Sequence, residues 1–437
     1  MPDRVGRRRM LAGIAGLAAG GCTARPDRGG GRGPVDLKLL SHYGEGPLEA
    51  GLRRAVDDWN AGQSRSRVET VAVRFEDLLT TVVVRQAAGQ GTDILHLYAL
   101  WAGQLVRAGV LRPVPPGDAV RVRDGFPAAV AGAVGVDGVP FGYPTEVQTY
   151  GLYCNRRLLA AAGAARPPRT WRELEAVARA ATRKDRHGNT VVQGLALSRV
   201  DDSETVNPVL ALLASGGGAF LTADGRGCAL GSPAGDAVFG LQRRLVRTGA
   251  GDPAIDMYAA FPAGRAAMAV NGGWWCGSLT ASMGERYRDV VTAALPGPAA
   301  GDRGTLATAF LMGVNTQCRH PGPAWEFVRW LNADAVAPPG GGGARVTRMS
   351  ALQWAAGSMT GRTADMRALL GAHGDPNAVP FLDALAHATP EPNGPRAQQA
   401  KSVLRKNIEE MWNGRLSAAE ALNATCTQVD RELSRPG

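Results

Sequence analysis

Residues 266–275 read Ala-Ala-Met-Ala-Val-Asn-Gly-Gly-Trp-Trp: a short apolar run, an Asn, two glycines that let backbone approach closely, and two adjacent indoles beyond the turn. An aromatic plane beside polar side chains suits a ligand with an apolar face and a hydroxylated edge, the two surfaces of a sugar ring. Adjacent residues after a turn do not readily face one way, so one of Trp274 and Trp275 is expected in a binding cleft; the bland alternative buries both in a core. A second constellation lies upstream. In the run from Tyr143 to Asn155, period two places Glu146, Gln148 and Tyr150 on one face and Val147, Thr149 and Gly151 on the other. Glu146 and Gln148 could exchange hydrogen bonds with hydroxyl groups, or could merely form a solvated edge.

These residues need a scaffold. Residues 35–142 alternate between two periods: Val35-Leu37-Leu39 at two, Leu48, Leu52, Ala55 and Trp59 at helical spacing, Val68 to Val73 extended, Leu78, Leu79, Val82 and Val83 helical, then Asp93 to Leu97. Strand–helix–strand–helix–strand with short connections is the pattern of a parallel sheet wrapped by helices. Ligands of such sheets sit beyond the carboxyl ends of the strands. The loops that begin there carry Ser41-His42-Tyr43, Phe75-Glu76 and Tyr98 to Trp101, which makes His42, Tyr43 and Trp101 candidates, with Arg348 on a later loop. Asp93 follows Ala-Gly-Gln-Gly-Thr and is a candidate either for ligand or for capping backbone amides. Downstream, Pro167-Pro168 stops a short helix, and Thr170 with Glu173 forms a capping-box pattern for the next. Ser417 with Glu420 repeats that pattern for a terminal helix, and Pro338-Pro339 with Gly340 to Gly343 reads as a flexible insertion.

The segment 143–174, with its Tyr-Pro-Thr-Glu-Val-Gln-Thr-Tyr-Gly-Leu-Tyr-Cys-Asn start, its Pro-Pro stop and its Thr-Trp-Arg-Glu-Leu helix opening, resembles the signature of the extracellular solute-binding proteins that feed sugar ABC importers. Blocks 265–275 and 308–331 match as well. The resemblance implies an α/β, two-lobed type II periplasmic binding protein fold, with hinge-linked lobes that each hold a mainly parallel sheet flanked by helices. It divides the chain into 35–145 plus 290–315 for the first lobe and 146–289 plus 316–437 for the second. It implies an aromatic at Trp274 or Trp275 stacked on a mono- or oligosaccharide, and it aligns Gln148 with a ligand-binding acid of maltose-type members. It also implies membrane permease subunits as partners, a monomeric receptor, no cofactor, and no catalysis. Within the same fold a polyamine, a metal or another small solute is the rival ligand.

The amino terminus agrees with export. Arg4, Arg7, Arg8 and Arg9, an apolar run to Ala19 and then Gly20-Gly21-Cys22 form a secretory signal over 1–22, too short to span a bilayer as a mature helix. Arg7-Arg8-x-Met-Leu resembles a twin-arginine core, with Gly6 and Ala12 in place of the usual Ser and Lys. Ala19-Gly20-Gly21-Cys22 resembles a lipobox, which makes Cys22 the lipid attachment site, residues 23–34 a Gly-, Arg- and Pro-rich tether, and the outer face of the cytoplasmic membrane the location. Without lipidation the chain is soluble and extracellular or periplasmic.

Setting aside Arg4, Arg7, Arg8, Arg9 and Asp3 lowers the formal charge from +10 to +7. The excess is carried by arginines scattered among Ala and Gly, with four lysines in all, so no nucleic-acid footprint is formed. With Cys22 lipidated, Cys154, Cys228, Cys276, Cys318 and Cys426 remain, an odd number without Cys-x-x-Cys or His at metal spacing. Neither a structural metal nor a disulfide-dependent fold is expected, while a single bridge stays open. A secreted carbohydrate-active enzyme would need two carboxylates at fixed separation, and no such pair, Gly-x-Ser-x-Gly, Ser-x-x-Lys, His-Glu-x-x-His or phosphate loop stands out. A third class keeps the clamp as a sensor or adhesion module.

Overall fold

The chain begins as the alternation dictates. In this computed structural model, which describes residues 33–333, 335–336 and 345–435, β1 (Val35–Ser41) and β2 (Ser66–Ala72) pair in parallel, and β3 (Ile94–Tyr98) pairs in parallel on the other side of β1. The helices between them are α1 (Gly46–Gly62), which buries Leu52, Val56 and Trp59 at i, i+4 and i+7, and α2 (Phe75–Ala87), which buries Leu78 and Val82. The signal, Cys22 and nearly all of the tether lie outside the described residues, as does the Pro338–Gly343 insertion. Among the described residues no helix is long and apolar enough to cross a membrane.

β4 (Tyr143–Asn155) organises the rest. All thirteen of its residues are buried, and at about 3.4 Å per residue it extends about 44 Å. Its first half pairs antiparallel with a late strand and its second half with another: Thr149 opposes Ala307 and Tyr150 opposes Gly272. One strand therefore belongs to both halves of a continuous sheet. Beyond it come α3 (Trp171–Ala181), β5 (Thr190–Ala196), α4 (Asp202–Ser215), α5 (Pro233–Thr248), β6 (Ala266–Gly272), α6 (Trp275–Met283), β7 (Val290–Ala293) and β8 (Thr305–Val314). The order across the sheet is β2-β1-β3-β8-β4-β6-β5, with β7 also on β4; β5 runs parallel to β6, whereas β4 and β8 run against their neighbours, so the sheet is mixed.

The last third is helical: α7 (Pro321–Asn332), α8 (Arg348–Ala355), α9 (Ala397–Trp412) and α10 (Ala418–Leu433). Two segments sit differently from the division read from sequence. Val290–Ala293, read with the first lobe, pairs with Leu152–Asn155, the end of β4 that also carries β6. Trp325, Phe327, Val328 and Leu331 of α7, read with the second lobe, pack in the core that holds Leu39 and Ile94, with Trp59 edge-on to Phe327 at 5.5 Å. An amphipathic stripe requires an apolar partner but does not say which one. The α9 and α10 stripes enter the other core, with Leu152, Leu174, Leu195 and Val238.

The predicted caps form unequally. Ser417 and Glu420 make both bonds of a capping box. Thr170 Oγ1 accepts the Glu173 amide at 3.1 Å, but Glu173 turns to the Arg169 amide and the Arg166 guanidinium instead of the Thr170 amide, so only one arm of that box exists. Cys228 and Cys426 are joined in a disulfide, and Cys154, Cys276 and Cys318 are free and buried.

Candidate functional site

The polar face of β4 is where the two halves meet. Gln148 lies opposite Thr308 of β8, and Phe310, two residues on, lies opposite Tyr98 at the carboxyl end of β3. Around Phe310 gather the residues that the parallel strands deliver at their ends. His42 stacks on Phe310 with centroids 4.4 Å apart, Tyr98 lies at 5.2 Å, and Phe75 stacks on Trp101 at 5.4 Å. His42, Phe75 and Phe310 keep partial exposure while Tyr98 and Trp101 are buried, so this is an aromatic wall with an accessible side.

Glu146 sits at the base of that wall, 7% exposed. The Tyr43 hydroxyl donates to Glu146 Oε1, Gln353 Nε2 donates to Tyr43 Oη at 2.6 Å, and His42 Nε2 lies 3.8 Å from Glu146 Oε2. Burial pushes the Glu146 carboxyl up to about 7 against the pull of its hydrogen-bond donors, and burial pulls His42 down to about 4. Near pH 7 His42 is therefore neutral and Glu146 is about half protonated, so the contact between them is not a standing salt bridge. Below it His96 bonds Ser41 Oγ at 3.0 Å and Thr145 Oγ1 at 2.9 Å, which locks the carboxyl end of β1 to β4.

The other half supplies the indoles, and they part company. Trp275 is 2% exposed, packed among Tyr153, Tyr258 and Phe261. Trp274 is half-buried, with its ring 5.9 Å from Tyr258, beside a cavity of ≈ 530 Å³ that Ser278 and Arg286 also line. The glycines explain how the indole fits: a Cβ on Gly272 would lie 2.9 Å from Trp274 Cδ1. The Trp274 amide donates to Gln148 Oε1 at 2.9 Å, and Gln148 Nε2 donates to Ser358 Oγ at 3.2 Å, so both ends of that amide are engaged.

The remaining sequence candidates fall elsewhere. Asp93 Oδ2 accepts the Lys38 amide at 2.9 Å; it precedes β3, about 17 Å along the strand from Tyr98, and so takes the backbone-capping alternative. Arg348 lays its guanidinium over Trp330 at 4.1 Å and donates to the Trp330 carbonyl, in the α7–α8 packing. Trp101 donates to Gln398 Oε1 at 3.0 Å and backs Phe75.

Several residues of the site were not singled out from sequence. Glu204, in the first turn of α4, accepts from the Tyr258 hydroxyl and is pushed up to about 7 by burial. Asn207, one turn on, donates to Tyr150 Oη at 2.9 Å and reaches Tyr98 Oη at 3.5 Å. Lys401, 1% exposed, pairs with Glu391 at 2.6 Å and donates to Ser203 Oγ at 3.0 Å, while Tyr98 donates to the other oxygen of Glu391. Lys401 did carry a signal: it lies on the apolar stripe Ala397-Ala400-Leu404-Ile408, where a lone lysine demands a buried partner.

Comparison with known proteins agrees with this architecture. No curated protein matches the sequence. Among solved structures, the cyclic α-maltosyl-1,6-maltose binding protein of Arthrobacter globiformis superposes with a TM-score of 0.76 at 22% identity, over 92% of this chain and 99% of that one. The sugar-binding protein MalE of Xanthomonas citri gives 0.76 at 18% over 92% and 98%, and the GacH receptor of Streptomyces glaucescens 0.74 at 18% over 92% and 100%. The fold is thus the two-lobed periplasmic binding protein fold. The family described as bacterial extracellular solute-binding protein matches residues 45–338, and the chain belongs to that family.

Proposed function

We propose that this chain is the receptor of an ABC importer, that it captures a mono- or oligosaccharide between its lobes, and that it hands the closed complex to membrane permease subunits. The observation that carries the reading is the half-buried Trp274 on its glycine-floored turn, tied through its amide to Gln148, which shares a face of β4 with Glu146, itself 3.8 Å from His42 of the aromatic wall. An indole offers an apolar plane, and Glu146, about half protonated at neutral pH, can both donate to and accept from sugar hydroxyls. The similar structures include receptors named for cyclic maltosyl-maltose and solved with acarbose and maltotetraose, which places saccharides first among the solutes to test. His42 and Tyr43 shape the Glu146 end of the site. The first lobe takes β1 to β3, β8 and the leading half of β4; the second takes the trailing half of β4 with β5, β6 and β7. The receptor hydrolyses nothing, works as a monomer, is exported by its twin-arginine signal, and is held at the outer face of the membrane by lipid on Cys22.

One observation favours a second reading. Two buried carboxylates, Glu146 and Glu204, each facing a tyrosine hydroxyl near aromatic rings, would also suit a polyamine. A thermal-shift screen of the purified chain against saccharides, polyamines, amino acids and metal salts separates the two, because a ligand that binds only the folded state raises the melting temperature once its concentration passes Kd. A shift with saccharides, lost in Trp274→Ala, is the expected result. A shift with spermidine and none with any saccharide sinks the carbohydrate reading and keeps the receptor.

A further inference from the structure

We propose that Gln148 is a positioning residue: it fixes the Trp274 indole for the solute and does not itself contact the solute. The inference rests on the reading that Trp274 is the stacking residue. Gln148 lies on the one strand shared by both halves, with Thr308 opposite it on the first-lobe side; two residues later the same strand pairs with Gly272. Its side chain joins three segments. Oε1 accepts the backbone amide of Trp274, the residue that follows the Gly272-Gly273 turn, and Nε2 donates to Ser358 Oγ on the segment after α8. Gln148 is 7% exposed and Ser358 is 8% exposed, so neither bond is readily exchanged for one to water. The indole itself folds back over Gly272, where a Cβ would lie 2.9 Å from Cδ1, 3.0 Å from Nε1 and 3.5 Å from Gln148 Cβ. Floor and anchor together define one position for the ring: Gly272 makes room for it, and Gln148 holds the backbone from which it hangs.

The arrangement distinguishes Gln148 from a ligand-binding side chain. A solute hydroxyl could reach only the second lone pair of Oε1 or the second hydrogen of Nε2, and at 7% exposure the Gln148 side chain presents little surface for either. Glutamate at this position could still accept both the Trp274 amide and the Ser358 hydroxyl, so Gln148→Glu should preserve the anchor, whereas Gln148→Met, of similar length, removes both bonds.

The test uses the full chain with its tryptophan indoles ¹⁵N-labelled; Trp274 is identified among the nine indole resonances by its loss in Trp274→Phe. Without any solute, Gln148→Met should shift or broaden the Trp274 resonance while the other resonances remain in place as the check on folding. Gln148→Glu should restore it, and Gly272→Ala should displace it independently. With maltotetraose as probe, Gln148→Met should weaken binding about three- to tenfold through the displaced indole, and should add nothing in a Trp274→Ala background. An unmoved Trp274 resonance, or losses that add in the double variant, overturns the proposal in favour of direct contact. If the wild-type chain ignores maltotetraose, the choice of solute falls, and the resonance experiment still decides the role of Gln148.

Discussion

At the scale of residues, adjacent side chains with one chemistry hold different offices because the turn aims them apart. Trp275 is enclosed by three aromatic rings, so Trp275→Ala opens a cavity and should cost about 3–5 kcal/mol of stability, read as a lower denaturation midpoint. Trp274→Ala should leave the midpoint within about 1 kcal/mol and abolish the solute-induced thermal shift. A reversal of those two phenotypes would reassign the stacking residue. Glu146 makes a pH prediction. Its folded value of about 7 stands above the unfolded carboxylate value, so the native chain holds a proton that the unfolded chain has already released between about pH 4.5 and 7. That contribution to stability is complete below the unfolded value and is lost as pH rises through 7. Glu146→Gln cannot ionise and is spared the loss, so the variant should gain on wild type by roughly 1–3 kcal/mol between pH 5 and pH 8. Denaturation midpoints of both proteins across that range would reveal it; a constant difference would place the carboxyl at an ordinary value. His42 drives a change of the opposite sign between about pH 4 and 6.5 in both proteins and cancels from the comparison.

At the scale of elements, the only covalent tie across the described fold reaches from the turn before α5 to α10, closing a loop of 198 residues. Loss of that closure should lower stability by about 2–5 kcal/mol. Cys228→Ser should therefore unfold at lower denaturant than wild type in oxidising buffer and match it in reductant; equal midpoints in both buffers would show the thiols unjoined in solution. The bridge also illustrates what a single chain can and cannot disclose. Leu37, Leu39, Leu52, Trp59 and Leu78 announced their strands and helices through spacing alone, because burial of one face follows from period. The crossing strand was legible too, since its alternation sets Glu146, Gln148 and Tyr150 together whatever they face. Pairings across long separations were not. Nothing in the local pattern sets Phe310 opposite Tyr98, gives α7 to the core of β1 and β3, or joins Cys228 to Cys426. The aromatic wall is built almost wholly of such pairings, and that is why His42 and Tyr43 could be named as candidates while Phe310, Tyr258 and Glu204 could not. Asp93 and Arg348 show the converse: polar residues at the starts of elements are drawn as readily to a backbone amide or an indole as to a solute.

At the scale of the whole molecule, capture requires that the two halves be able to part, and the structure shows what would hold them together without solute. Tyr98 ends a strand of the first half, yet its hydroxyl donates to Glu391 and lies 3.4 Å from Lys401 and 3.5 Å from Asn207, groups on α4, on α9 and on the segment leading into α9. A phenol between a buried ion pair and an amide contributes more to a closed arrangement than to an open one, where water would replace each bond at little net cost. Tyr98→Phe keeps the ring against Phe310 and leaves the Lys401–Glu391 pair intact, so it should alter the balance of the halves rather than the wall. When the competent state is only partly populated, apparent affinity falls by that fraction. The variant should therefore scatter X-rays with a larger radius of gyration than wild type in the absence of solute, reach the same radius at saturating solute, and bind about three- to tenfold more weakly. The equal radius at saturation is the discriminating result, because a damaged site would leave the variant extended at every concentration. If instead the solute-free radius is unchanged and only the melting temperature drops, Tyr98 is a core residue that happens to lie at the boundary, and the closed state owes its stability to the solute alone.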